Sequence, residues 1–101
     1  MSPAATASMN EPGVLRLAGV LDYRSGPALR KQGQALIKAS GDAQLIIDCT
    51  AVEHSTSVGL SLLLAFMRDA QAAGKRCQVQ GLPDDMRDIA QVYDLDEVLA
   101  S

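Results

Sequence analysis

The sequence predicts an α/β fold: a small open mixed sheet, parallel at its centre, with helices packed on it. Three observations point there. Leu45-Ile46-Ile47 is a short apolar run rich in β-branched residues, the pattern of a strand covered on both faces. A polar stretch over residues 48–56, read as a loop, separates it from a helix that stays apolar for two turns, through Val58, Leu60, Leu62, Leu63, Leu64, Phe66 and Met67. The whole chain reads β-(β)-α-β-α-β-α, and strands joined by right-handed helical crossovers lie parallel.

Taken in order, residues 1–12 are small, polar and alanine-rich, without the positive charge or apolar core of a secretory signal. They are expected to be a flexible tail before one domain spanning 13–101. Val14-Leu15-Arg16-Leu17-Ala18 alternates as a first strand, and Gly19 is expected to turn the chain into a second short strand at Val20-Leu21. Ser25 and Pro27 mark a helix start, the serine as cap and the proline in a first turn where its missing N–H costs nothing. That helix should run to about Ala39, with Leu29, Gly33, Leu36 and Ile37 on one apolar stripe and Arg30, Lys31, Gln34 and Lys38 facing water. Gly41 suits a left-handed cap.

The next strand covers residues 44–49, and the long helix 57–73 is closed by Gly74-Lys75. Arg76-Cys77-Gln78-Val79-Gln80 is the last strand, broken by Gly81-Leu82-Pro83. Asp84 or Asp85 then caps a short helix with Met86, Ile89, Ala90 and Tyr93 at helical spacing; Leu95, Val98 and Leu99 make a final apolar turn.

Composition excludes several function classes. A formal net charge of -3 leaves no basic face for nucleic acid. The longest apolar stretch, residues 58–67, is interrupted by Gly59 and Ser61 and is about half of what a membrane span requires, so no direct membrane insertion is expected. Cys49 and Cys77 fall at opposite ends of neighbouring parallel strands, too far apart to bridge, and two free thiols fit a reducing cytosol. His54 has no second metal ligand at a recognisable spacing and no acid or nucleophile partner suggested by spacing. The acids Asp84, Asp85, Asp88, Asp94, Asp96 and Glu97 read as a solvated face. No catalytic residue, metal or cofactor is expected, and the chain does not read as an enzyme.

Strand, loop and helix in succession put the loop and the helix N-terminus at the C-terminal edge of the sheet, where open α/β sheets keep their working surface. Ser57 falls at or next to the N-cap, where open N–H groups tolerate an added phosphate of roughly -2 charge. Gly59 costs its helix roughly 1 kcal/mol relative to alanine, which is explained by the close approach of another backbone or by tight packing on the sheet. The helix shows few polar residues before Arg68, so either a neighbouring helix or a partner covers its second face.

The run His54-Ser55-Thr56-Ser57-Val58-Gly59-Leu60-Ser61 resembles the central motif of STAS domains: an Asp, a Ser or Thr, a small residue, Gly-Leu, then an apolar helix. Thr56 takes the Asp position, Ser57 the Ser/Thr position, Val58 the small position, and Gly59-Leu60 the Gly-Leu pair. The resemblance extends over residues 14–99, including Gly74-Lys75-Arg76, Gly81-Leu82-Pro83 and the ending Tyr93-Asp94-Leu95. Among STAS proteins the chain is most similar to the accessory subunit of Mla-type ABC transporters, which move phospholipid to maintain outer-membrane asymmetry. The resemblance implies a non-enzymatic cytoplasmic subunit, peripheral at the inner membrane, that binds the ATPase subunit (with its permease) and supports its assembly and activity. Its contact surface is then expected at Glu53, His54, Ser55, Thr56, Ser57, Leu60 and Ser61. The alternative within the same family is an anti-sigma factor antagonist, switched when a partner serine kinase phosphorylates Ser57. Thr56 in place of Asp, and the Tyr93-Asp94-Leu95 ending, favour the transporter.

Overall fold

A computed structural model describes residues 5–93. Its elements are β1 (Thr6–Glu11), β2 (Val14–Leu21), α1 (Gly26–Ala39), β3 (Gln44–Ser55), α2 (Ser57–Ala72), β4 (Arg76–Gln80) and α3 (Asp84–Val92). The strands form one sheet in the order β1-β2-β3-β4. β1 runs antiparallel to β2, whereas β2, β3 and β4 are parallel, so the mixed sheet with a parallel centre is the one the sequence predicts.

Period-two alternation makes one face of this sheet apolar. Leu15, Leu17 and Leu21 of β2, Leu45, Ile47, Cys49 and Val52 of β3, and Val79 of β4 are buried there. They join Leu29 and Ile37 of α1, Leu60, Leu63 and Phe66 of α2, and Met86 and Ala90 of α3 in a single core. The other face carries exposed Arg16 and Thr50, with Ile46 and Asp48 half-buried. Among the described residues β3 is therefore covered on one face, not on both as its apolar run suggests.

The second face of α2 belongs to α1. Gly33 of α1 lies where a Cβ would come within 2.5 Å of Phe66 Cζ, and a Cβ on Gly26 would meet Val58 Cγ1 at 2.9 Å. Two glycines thus let the helices approach closely. Arg30 of α1 forms a two-pronged ion pair with Asp69 of α2, and its guanidinium lies 5.9 Å from the centroid of the Phe66 ring.

Several boundaries differ from the expectation, each for a physical reason. Residues 6–11, expected in the tail, form the edge strand β1, paired through Thr6↔Ala18 and Ser8↔Arg16. Gly13, at φ +76, reverses the chain, and half-buried Ala7 and Met9 pack against the core. Gly19 does not split β2; at φ +88 it sits where the pairing with β3 shifts register, a bulge inside one strand.

Residues 48–55 are not a loop. The far half of β2 offers Ala18, Gly19, Val20 and Leu21 as partners for Ala51, Val52, His54 and Ser55, so β3 continues for 12 residues. The helix signals held in position but not always in chemistry. Ser25 precedes α1 without capping it, because its hydroxyl donates to Val20 O at 2.8 Å; Pro27 lies in the first turn. Extended Ser40, not Gly41, ends α1, while Gly74 at φ +73 follows α2. Pro83 occupies the cap position of α3, and Asp84 and Asp85 fall in its first turn, where a helix dipole favours them. Leu95, Val98 and Leu99 lie outside the described residues.

Candidate functional site

β3 hands the chain to α2 through one residue. Thr56 is extended, at φ -90 and ψ -175, and its hydroxyl accepts a hydrogen bond from Val58 N at 3.2 Å. Its own N–H donates to Leu21 O at 3.0 Å, which ties the cap to the end of β2. Thr56, at the position that Asp takes in the STAS motif, is thus the N-cap. Ser57 is the first helical residue, exposed, and its side chain makes no hydrogen bond among the described residues. One turn on, Ser61 is exposed too and donates to Ser57 O at 3.3 Å.

Two of the seven residues expected at the contact surface point inward. Leu60 belongs to the core, and Ser55 is buried with its hydroxyl donating to Thr56 O at 2.9 Å. Alternation explains Ser55: it continues β3, so its side chain falls on the helix-covered face. Leu60 is on the inward stripe of α2. Glu53, His54, Thr56, Ser57 and Ser61 remain exposed at the C-terminal edge of the sheet. Gly59 resolves in favour of tight packing: a Cβ there would collide with Ser55 Oγ and come within 3.2 Å of Leu21 Cβ.

Asp85 is the member of this edge that spacing does not reveal. Its Oδ2 accepts from Ser55 N at 3.0 Å and lies 3.0 Å from His54 Nδ1, while Oδ1 accepts from Met86 N at 2.9 Å. His54 therefore does have an acid partner, contributed by the first turn of α3 rather than by its own strand. Burial works against ionisation of Asp85, but the bonds from Ser55 N, His54 and Met86 N outweigh it and hold the carboxyl below its usual range. Asp85 thus fastens α3 to the strand end that presents Thr56 and Ser57. The only advance signal was an acid in a first helical turn.

Two grooves flank this ridge and share Ser61. One, of about 440 Å³, lies between α1 and α2 and is lined by Tyr23, Pro27, Val58, Leu62 and Ala65. Tyr23 at its mouth is exposed, with the Arg24 guanidinium 5.6 Å from its ring centroid. The other, of about 650 Å³, lies between α2 and β4. The Cys49 thiol is buried and, with Asp48 adding to the effect of burial, pushed up to about 12, which disfavours its thiolate near neutral pH. Among the described residues no three acids, histidines or cysteines converge as a metal site, and no helix is long and apolar enough to cross a membrane. At this edge Thr56, Ser57 and Ser61 present exposed hydroxyls around the capped N-terminus of α2.

Comparison with known proteins agrees with this geometry. Residues 4–100 match the family model described as "Mlab, STAS domain", a match that takes in β1. A chain of the Acinetobacter MlaFEDB complex in its ATP-bound Vtrans2 conformation is similar, with a TM-score of 0.79 and 24% identity over 93% of this chain and 96% of that one. The anti-sigma factor antagonist SpoIIAA in its unphosphorylated form has a TM-score of 0.72 and 23% identity, covering 93% of this chain and 84% of its own. An anti-sigma factor antagonist from Mycobacterium paratuberculosis has a TM-score of 0.74 and 25% identity, covering 94% and 80%. The same fold thus occurs in a chain of the MlaFEDB complex and in anti-sigma factor antagonists.

Proposed function

The chain belongs to the STAS family described as Mlab, and from that premise we propose that it is a non-enzymatic subunit docking on the ATPase of an ABC phospholipid transporter. In this reading it is cytoplasmic, peripheral at the inner membrane through that ATPase and its permease, and it supports their assembly and activity. The observation that carries the docking site is Ser57: exposed, unbonded among the described residues, at the start of a helix whose cap is made by another residue. Glu53, His54, Thr56 and Ser61 surround it, and Tyr23 and Val58 extend the surface along the groove toward α1. Because Thr56 caps α2, Ser57 is free to spend its hydroxyl on a partner.

The second reading, an anti-sigma factor antagonist phosphorylated on Ser57, is favoured by one feature: the same free hydroxyl stands among first-turn N–H groups that accommodate a phosphate. Both readings use one residue, and substitution separates them. Ser57→Ala and Ser57→Thr should retain the ATPase in co-purification, whereas Ser57→Glu, which places a charge in the contact, should lose it. Equal recovery with all three variants would remove Ser57 from the interface. Phosphate on Ser57 in protein from native cells, with no ATPase bound, would establish the second reading.

A further inference from the structure

The net charge of -3 conceals one basic face. α1 carries Arg30, Lys31 and Lys38 and not one acid in its 14 residues. Arg30 is paired with Asp69. Lys31 and Lys38 are exposed, and their amines make no hydrogen bond or ion pair among the described residues. Asp42, the nearest acid in sequence, lies beyond the end of α1, and its carboxylate accepts from Ser40 Oγ instead. Positions 24, 31 and 38 are heptad steps, almost two whole turns each, so Arg24 in the turn before α1 heads the same line. That line lies opposite the buried Leu29, Gly33 and Ile37.

The line begins at the edge that carries Ser57. Arg24 closely follows Leu21, whose carbonyl accepts from Thr56 N, and Tyr23 and Pro27 share a groove with Val58 and Ser61. A protein seated on Ser57 therefore meets α1 without a break. The face itself favours a protein over a lipid surface. Ala28, Gln32, Gln34 and Ala35 stand exposed among the cations, whereas Leu29, Leu36 and Ile37 pack inward. This face of α1 thus presents no large apolar side chain of the kind an interfacial helix buries in a bilayer. Lys31 and Lys38 are about 10 Å apart along the helix axis, the interval at which a helix lying alongside repeats a side chain every seven residues.

We propose that the Lys31–Lys38 face of α1 receives an acidic helix of the protein that docks at the Ser57 edge, with carboxylates recurring at heptad spacing. The inference rests on the docking reading and names what the docked protein presents to this chain. Lys31 and Lys38 pair with its carboxylates, and Arg24 continues the line toward Ser57. Exposed pairs of this kind add little affinity each; they set orientation and speed encounter, and salt weakens them.

Zero-length cross-linking tests it. A carbodiimide, which joins a lysine amine to a touching carboxylate, would be applied to the tagged full chain with its bound proteins in a mild-detergent extract of its own cells. Peptide mass spectrometry should find Lys31 and Lys38 joined to Asp or Glu side chains at heptad spacing, in the same protein that Ser57→Glu loses. Both lysines are exposed, so Lys31→Glu/Lys38→Glu should keep the parent's circular dichroism. It should hold that protein about tenfold less tightly at low salt, with the difference fading as salt is raised. Partner binding at Ser57 with no such cross-link, and with equal affinity in the double variant, would overturn the inference and leave the docking reading standing. Recovery of no protein that Ser57→Glu loses would refute the docking reading, and the inference with it. Cross-links only between copies of this chain, or binding of the free protein to phosphatidylglycerol vesicles that the double variant loses, would assign the face to another occupant and overturn the inference.

Discussion

Adding one methyl group at Gly59 tests how the site is built. In Gly59→Ala the new carbon would overlap Ser55 Oγ and press on Leu21 Cβ and Ser55 Cβ at 3.2 Å; the hydroxyl can rotate away, but the two Cβ atoms are fixed to their backbones. Overpacking of this kind costs about 1–3 kcal/mol. Moving the Ser55 hydroxyl away from Thr56 O forfeits about 1 kcal/mol more. Alanine returns about 1 kcal/mol of helix propensity, so a net loss of about 1–3 kcal/mol is expected. For a domain of this size, each kcal/mol lowers Tm by about 4–8 °C. The informative assay is a set of urea titrations on Gly59→Ala, Ser55→Ala and the double variant, with unchanged slope m as the sign that compactness is preserved. Removing the hydroxyl first should make the methyl cheaper by at least about 1 kcal/mol, a coupling that independent sites do not show. Two results would refute the reasoning: stabilisation by Gly59→Ala, or an identical cost in both backgrounds.

Three further outcomes follow from the same structure. Thr56→Ala removes the cap of α2 and should cost about 1 kcal/mol in thermal or chemical unfolding, while Thr56→Asp, which restores the family's usual residue, should cost nothing measurable. Gly33→Ala forces a methyl against the Phe66 ring between α1 and α2 and should destabilise by about 1–3 kcal/mol, less the propensity gain of about 1 kcal/mol; stability equal to or above the parent's would show that the ring can move aside. The Asp85 carboxyl is held below its unfolded value of about 3.9, so its contribution to stability is complete above that pH and is lost as pH falls through the lowered folded value. Thermal melts of the parent and Asp85→Asn between pH 7 and pH 3 should therefore converge on acidification, and a constant gap would contradict the latch to Ser55 and His54.

The parts of the fold written in local periodicity were legible before the structure. The apolar stripe Leu29, Gly33, Ile37, the long run from Val58 and the short strand at Arg76–Gln80 all lie where expected. What was missed depends on partners distant in sequence. Thr6–Glu11 has too little apolar character to announce itself and is a strand because β2 supplies its hydrogen bonds. Residues 48–56 looked like a polar loop for the same reason, the partners of Ala51, Val52, His54 and Ser55 being contributed by Ala18, Gly19, Val20 and Leu21. At the site, the motif located Thr56 and Ser57, and simple alternation would have turned Ser55 inward had the strand's extent been known. Asp85 lay beyond any spacing argument, 30 residues from the Ser55 amide it binds.

The central claim is that the Ser57 edge docks on a transporter ATPase, and the most direct test is identification of what is bound there. Tagged protein would be purified in mild detergent from its own cells, with bound proteins and any phosphate on Ser57 identified by mass spectrometry. The account predicts an ABC ATPase together with its permease, lost in the Ser57→Glu variant and retained in Ser57→Ala. Recovery of an anti-sigma-type serine kinase in their place, with Ser57 phosphorylated, would contradict it.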